Sequence, residues 1–175
     1  MSAPHARPRD EPGSFEVQGD VATLVFRRRL RHPPEVVWRA LTDPAEVAQW
    51  QLTTARVEGR AGGHVEMTHE PTHVRATGRV LAWDPPHLFE HEWNVPAGGS
   101  WPVAEHAVIR WELVPEAGGT LLTLTHRGLT SRTARVFRHG LVGLLDRLEA
   151  QLDGRPLPDW EARVRELRGS GTAPG

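Results

Sequence analysis

Hydrophobic and polar residues alternate along the middle of the chain, from about Thr53 to Thr125. This period of two is typical of β-strands that bury one face. Proline- and glycine-rich turns separate the successive runs, which favours sequential antiparallel pairing. The inward members of the runs are Val65 and Met67; Val74, Ala76, Gly78 and Val80; Phe89, His91 and Trp93; Ala107, Ile109, Trp111 and Leu113; and Leu122 and Leu124.

Two strand-like segments and two helical segments precede this region. Residues 15–17 and 21–30 flank a turn sequence and predict a short hairpin that leads into a first long strand. Two prolines then end the strand, and apolar residues at helical spacing over residues 35–43 predict a short helix. The capping pair Asp43-Pro44 predicts a second short helix, from Ala45 to Trp50.

From Ser131 to Asp153 the hydrophobic period returns to 3.6, which predicts an amphipathic helix. Asp153-Gly154 is a typical end signal. At 1.5 Å per residue, about 23 residues span roughly 34 Å, enough to cross several strands. The predicted apolar stripe consists of Phe137, Leu141, Leu144, Leu145, Leu148 and Leu152. A short terminal helix is also predicted from Trp160 to Leu167.

These elements predict an α+β fold of the helix-grip type. A curved antiparallel sheet of about seven strands, with two short helices after strand 1, wraps around the long C-terminal helix, because a sheet with one dry face must bury it. We expect the domain to cover residues 14–154. Residues 1–13 are predicted to be a disordered tail, and residues 155–175 an extension with a short helix and a disordered end.

Composition narrows the function classes. The chain has 175 residues, of which 38% are hydrophobic and 25% charged, as in globular proteins. No apolar run approaches the ~18 residues of a membrane span, and no secretory signal is recognisable, so we expect a cytoplasmic protein without membrane contact. The absence of cysteine excludes disulfides and thiolate chemistry. A net charge of −1 gives no electrostatic reason to expect nucleic-acid binding.

Five segments carry a family resemblance. They read HPPEVVWRALTDPAEVAQW, AGGHVEM, TGRVLAWDPPHLFEHEW, VIRWELVPEAGGTLLTLTHRG and GLVGLLDRLEAQLDG. In this order, over about residues 15–154, the chain resembles bacterial homologues of the heat-shock-protein-90 ATPase activator, within the START-like (SRPBCC), pollen-allergen-like superfamily. The resemblance implies the helix-grip fold, often built around an apolar cavity. It brings ligand binding, polyketide cyclisation and chaperone assistance as precedents, and a fold alone does not choose among them.

The chain departs from the usual family pattern at two places. Gln51 follows Trp50 where a second aromatic residue is common. The segment from Leu141 to Leu145 lacks the tryptophan often found early in the last helix. We expect both changes to reshape the mouth of a pocket.

Four polar residues fall at inward positions of the strands: Arg28, His69, His91 and His126. As pocket groups they would orient the polar end of a ligand. As structural groups, Arg28 would pair with an acid and the histidines would bond to the backbone, because buried polar groups need partners. The structural interpretation is favoured for any one of them taken alone, and convergence on one cavity would reverse that preference.

Metal binding and catalysis have weaker support. His64 and His69 face opposite sides of a strand, and His69 with His73 across a turn would give only two ligands, so we expect no metal. No cofactor-binding motif, nucleophilic serine motif or phosphate-binding glycine loop occurs. The glutamates of the strands fall on the polar face beside arginines, where cross-strand ion pairs explain them. Only the inward histidines could do acid–base chemistry.

The leading hypothesis is therefore a binding protein for a small hydrophobic molecule, held between the sheet and the last helix. The alternatives are a chaperone-associated protein and a cyclase-like enzyme, and we expect a binding protein rather than an enzyme. A monomer and a homodimer are both compatible with the sequence. The candidate ligand-binding residues are Arg28, Trp50, Met67, His69, His91, Trp93, Ile109, Trp111, His126, Phe137 and Leu141.

Overall fold

An eight-stranded antiparallel sheet dominates the structure, a computed structural model that describes residues 13–99 and 101–170. The strands follow the order β1-β2-β8-β7-β6-β5-β4-β3. The disorder predicted for the tails falls almost wholly on residues 1–12 and 171–175, outside the described residues. In chain order the elements are β1 (Ser14–Gln18), β2 (Val21–Leu30), α1 (Pro34–Thr42), α2 (Pro44–Trp50), β3 (Thr53–Val57), β4 (His64–His69), β5 (Val74–Asp84), β6 (Leu88–Val95), β7 (Glu105–Glu116), β8 (Gly119–Thr130), α3 (Ser131–Leu152) and α4 (Trp160–Ser170).

The predicted α+β fold is confirmed, with two short helices after the first long strand and a long helix near the C-terminus. Strands β3 to β8 pair sequentially, as predicted. Pairing of β2 with β8 then joins the N-terminal hairpin to the last strand. The sheet has eight strands instead of about seven because β1 is a full five-residue partner of β2.

The two short helices are set by their caps. The Asp43 carboxylate accepts hydrogen bonds from the backbone N–H groups of Ala45 (2.9 Å) and Glu46 (3.1 Å), which satisfies donors that the first turn of α2 leaves free. Proline begins both helices. The Trp50 indole Nε1 donates to the Ala40 carbonyl at 2.8 Å and thereby ties α2 to α1.

The inner face of the sheet contains a row of side chains that the register places side by side. Val80 pairs with His91, His91 with Ile109, Ile109 with His126, and His126 with Leu24. Directly opposed residues of antiparallel strands lie about 4.5–5.5 Å apart. Two histidines therefore flank Ile109 in the core.

The outer face carries the cross-strand ion pairs expected from the sequence. Arg110 bridges Glu90 at 3.1 Å and Glu112 at 3.0 Å, and Arg127 also contacts Glu90 at 3.0 Å. Burial alone would raise the pKa of Glu90, but the hydrogen bonds and charges of the two arginines outweigh it and lower that pKa. These glutamates have a structural explanation.

Helix α3 packs its apolar stripe onto the sheet and carries α4 on another side. Arg163 of α4 pairs with Asp146 of α3 at 2.7 Å, and Trp160 Nε1 donates to the Gly140 carbonyl at 3.0 Å. Part of the polar side of α3 is thus covered by protein. None of the helices in the described part of the chain combines the length and the hydropathy needed to cross a membrane.

Two glycines in α3 make room for the indole of Trp160. A Cβ atom added at Gly140 would lie 3.3 Å from the indole, and one added at Gly143 only 3.1 Å. Glycine inside a helix costs about 0.5–1 kcal/mol relative to alanine. The close approach of the indole explains both glycines.

Candidate functional site

A cavity of about 170 Å³, partly open to solvent, lies between the inner face of the sheet, α3 and α4. Strands β3 to β8 each contribute to its floor and sides, and the two helices cover it. Its lining consists of Gln51, Thr53, Met67, His69, Thr72, Val74, Trp93, Ile109, His126, Val136, Phe137, Gly140, Leu141, Leu144, Trp160, Val164 and Arg168.

Aromatic rings stand edge to face on one side of the cavity. The ring of Trp93 lies 5.4 Å from that of Phe137 at an angle of 76°, and 5.0 Å from the His126 imidazole at 82°. Trp101 closes the group from outside, 5.5 Å from Phe137. Rings in such arrangements attract one another and hold their orientations. This wall is therefore rigid and apolar.

His126 is the polar group buried in this wall. Its side chain is only 2% exposed, and neither ring nitrogen has a hydrogen-bond partner among the described residues. Burial, with a further contribution from nearby His91, lowers its pKa to about 3. The imidazole is therefore neutral at physiological pH and offers one N–H donor and one acceptor nitrogen.

His69 lines the opposite end of the same cavity, on β4. Its Nδ1 lies 2.8 Å from the Thr72 hydroxyl, and its ring lies 4.9 Å from the indole of Trp160. Its Nε2 is buried without a partner among the described residues. Burial lowers the pKa of His69 to about 4, against a smaller raising effect of Glu70. The His69 imidazole is therefore neutral, with one ring nitrogen hydrogen-bonded and the other unpartnered among the described residues.

His91 belongs to the core and does not line the cavity. Its Nδ1 lies 2.8 Å from the Glu92 carbonyl oxygen, and its ring lies 4.9 Å from that of Phe89. Burial lowers its pKa to about 4, although the Glu92 carbonyl and Glu90 act in the opposite direction. The backbone-bonded interpretation applies to this histidine.

Seven of the eleven candidate residues from the sequence meet in the cavity, and four lie elsewhere. The seven are Met67, His69, Trp93, Ile109, His126, Phe137 and Leu141. Besides His91, the exceptions are Arg28, Trp50 and Trp111. Arg28 is paired with Asp146 at 3.2 Å. Trp50, a predicted ligand-binding residue, is 1% exposed beneath α1 and meets Trp111 edge to face at 6.2 Å.

Helix α4 supplies the residues that sequence reasoning missed most clearly. Trp160, Val164 and Arg168 all line the cavity. They are spaced four residues apart and so share one face of a helix. The four-residue spacing, visible in the sequence, indicates that the three side chains share a face of the helix, but not that this face covers a cavity. Inward register could likewise have found Val74 on β5, and the predicted stripe of α3 already contained Leu144.

Glu105 is a buried polar residue that was not among the residues predicted from the sequence. Its carboxylate, 1% exposed, accepts hydrogen bonds from the Thr130 backbone N–H (2.9 Å), the Thr130 hydroxyl (2.7 Å) and the Thr133 hydroxyl. It thereby fixes the beginning of α3, and so the position of Phe137, against β7. The alternation Glu105, Ala107, Ile109 would have placed it inward.

No group of three or more histidine, aspartate or glutamate side chains that could hold a metal ion is found within residues 13–99 and 101–170. His69 and Thr72 satisfy each other on one side of the β4–β5 turn. Apart from Arg168, the polar side chains that line the cavity are neutral, which suits hydrogen bonding to an organic molecule.

Comparison with known proteins identifies the family. The family described as activator of Hsp90 ATPase homolog 1-like protein matches residues 31–153. The chain belongs to this family. The resemblance seen in the sequence is thereby confirmed, and α4 lies beyond the matched residues. No curated protein matches the chain.

Solved structures share the fold of this family member. Protein MLL2253 from Mesorhizobium loti is 25% identical, with a TM-score of 0.68 over 77% of this chain and 99% of that chain. CalU16 from Micromonospora echinospora is 23% identical, with a TM-score of 0.68 over 91% of this chain and 92% of that chain. The protein encoded by BPP1335 of Bordetella parapertussis is 20% identical, with a TM-score of 0.68 over 92% and 89%.

Proposed function

We propose that this protein binds a small hydrophobic molecule in the cavity between the sheet, α3 and α4. The observation that carries the proposal is the cavity itself, about 170 Å³ with apolar walls and one deeply buried, unpartnered imidazole. Binding sites for small molecules commonly combine apolar walls with few polar groups. Seven of the residues that the sequence pointed to line it.

The volume limits the size of the ligand. Pockets for drug-sized molecules measure about 300–1,000 Å³, whereas an engineered apolar cavity of about 150 Å³ in another protein binds benzene. The present cavity is close to the second value. A ligand would therefore place about one ring inside, and any larger part would extend through the open side of the cavity.

Binding is favoured over acid–base catalysis by the titration of the cavity histidines. A general acid or base works best when its pKa lies near the operating pH. The pKa values of His69 and His126 are lowered to about 4 and about 3. Both residues are neutral near pH 7 and are weak bases. They suit recognition by hydrogen bonding.

Calorimetric titration with toluene and indole tests the proposal. We expect saturable binding of at least one of them, accompanied by a change in tryptophan fluorescence because Trp93 and Trp160 line the cavity. Ile109→Phe should abolish binding by filling the floor. The matched control is Val108→Phe, whose side chain lies on the other face of β7 and should leave binding intact. Equal binding to both variants would contradict the assignment to this cavity.

A chaperone-associated role is the alternative that the family description brings. It predicts capture of a heat-shock-protein-90 chaperone in a pull-down and a change in its ATPase rate. The absence of both would remove it. The cytoplasmic location and the choice between monomer and homodimer stay predictions from the sequence.

A further inference from the structure

We propose that the cavity selects an uncharged aromatic alcohol of the phenol type, whose hydroxyl group forms a hydrogen bond with His126. This inference rests on the proposed function, because it names the class of ligand that the same cavity would take. It goes beyond general apolar binding by assigning a polar contact and an order of preference among ligands of equal size.

The hydrogen-bonding state of His126 favours a ligand with a polar group. Both ring nitrogens are buried without a partner among the described residues. Leaving a buried polar group unsatisfied costs about 1–3 kcal/mol, so native structures rarely do so without a reason. The imidazole is one of the side chains that line the cavity.

The donor and the acceptor of a neutral imidazole favour a hydroxyl group as the polar group of the ligand. One nitrogen donates and the other accepts, and the tautomer decides which is which. A hydroxyl group is both a donor and an acceptor, so it can form a hydrogen bond with either ring nitrogen of a neutral imidazole. A carbonyl or an ether would match only the protonated nitrogen, and a methyl group would match neither.

The surroundings of His126 favour an uncharged ligand. Among the described residues that line the cavity, Arg168 is the one permanently charged side chain, and it lies exposed on α4. The other titratable group of the lining is His69, and His91 stands behind Ile109 in the same transverse row. A carboxylate next to His126 would therefore lose its hydration without gaining a cation.

The arrangement of rings around the imidazole favours an aromatic ligand. Trp93 meets His126 at 82° and Phe137 at 76°, so the rings present edges and faces in different directions. A flat aromatic ring finds edge-to-face partners in such a wall, each worth about 0.5–1.5 kcal/mol beyond burial. The cavity volume of about 170 Å³ admits one ring.

Calorimetry with phenol, toluene and benzoate tests the inference. Phenol and toluene have nearly the same shape and differ by a hydroxyl in place of a methyl group. We expect phenol to bind the wild-type protein at least about tenfold more tightly than toluene, the equivalent of one hydrogen bond. Benzoate should bind more weakly than either.

Variants assign the preference to one residue. His126→Phe, which retains an aromatic ring of similar size, should reverse the order so that toluene binds more tightly than phenol. His64→Phe, at an exposed position of β4 that does not line the cavity, is the control and should preserve the preference. The ¹⁵N resonances of the His126 ring should also shift on adding phenol to the wild-type protein, a measurement that needs no variant.

The outcomes separate this inference from the proposed function. If toluene binds the wild-type protein as tightly as phenol, or if His126→Phe keeps the preference for phenol, the inference is overturned while the binding function stands. Tightest binding of benzoate also overturns it. If neither phenol nor toluene nor indole binds, both the inference and the proposed function fail.

Discussion

Three neutral histidines, two of them fully buried, distinguish this core from an ordinary apolar one. His91 and His126 are 1% and 2% exposed and flank Ile109, and His69 lies at the other end of the cavity. In each, burial disfavours the charged imidazolium and lowers the pKa below the usual histidine value of about 6.5. The core therefore has a specific sensitivity to acid.

Folding stability should fall as the pH drops from about 6.5 towards 4. The unfolded chain takes up protons on these residues near pH 6.5, whereas folded His91 and His126 resist protonation down to about 4 and about 3. Their contribution to the free energy of unfolding is complete well above pH 6.5. At pH 5 the free energy of unfolding is lower by about 2 kcal/mol for each of these histidines. Urea unfolding at pH 7.5, 6 and 5 measures it.

His126→Phe should lose less stability than the wild-type protein over this pH range, because unfolding of the variant takes up nearly one proton fewer. His64→Gln, at an exposed position of β4, is the control and should retain the wild-type dependence. Equal slopes for His126→Phe and the wild-type protein would contradict the assignment.

Sequence reasoning reached the inward position of these histidines but not their roles. Alternation placed His91 and His126 on the same face, and both are inside. Whether a ring nitrogen meets a carbonyl depends on side-chain rotation, which no periodicity encodes. His91 turns to the Glu92 carbonyl, whereas His126 stands among Trp93 and Phe137 without a partner.

At the scale of elements, α4 decides the shape of the site. The sequence predicted a helix from Trp160 to Leu167, and the structure has one from Trp160 to Ser170. Its role in covering the cavity was not predictable from its own weak pattern, since Val164 is its one buried residue. The complementary signal lies in α3, where Gly140 and Gly143 leave space for the indole.

Trp160→Ala should release α4 from α3. The substitution removes the indole that fills the space over the two glycines, its hydrogen bond to the Gly140 carbonyl and its contact with His69. We expect amide hydrogen exchange across Trp160–Ser170 to accelerate at least about tenfold, because large-to-small changes of this kind cost several kcal/mol locally.

The control for this substitution is Arg165→Ala, at an exposed position of the same helix, which should leave exchange nearly unchanged. Unaltered exchange in Trp160→Ala would mean that Arg163 and Asp146 alone hold α4 in place.

At the scale of the whole molecule, Arg147 joins three parts of the chain. Its guanidinium donates to the carbonyls of Trp50 (2.9 Å), Gln49 (2.7 Å) and Pro158. The first two carbonyls belong to the end of α2, where the helix dipole favours a positive charge. The sequence placed this arginine on the polar stripe of α3. Only the folding back of the segment before α4 explains why it is buried.

Arg147→Met should destabilise the protein by about 2–4 kcal/mol, because one buried and two part-buried carbonyls lose their donor. Arg147→Lys should restore little of this, since a single ammonium group cannot reproduce the planar fork. Chemical unfolding followed by far-ultraviolet circular dichroism measures the change. Arg138→Met, at an exposed position of α3, is the control and should change stability by less than about 0.5 kcal/mol. A similar loss in both variants would contradict this role.

The two glycines of α3 also give a rule for reading related sequences. A family member with bulky residues at the positions of Gly140 and Gly143 could not seat an indole there, whatever followed its last helix. A member with two glycines at this spacing, and a tryptophan after a proline-containing link, could inherit the same cover over its cavity. Ligand preference could then diverge through a short terminal segment while the sheet stays unchanged.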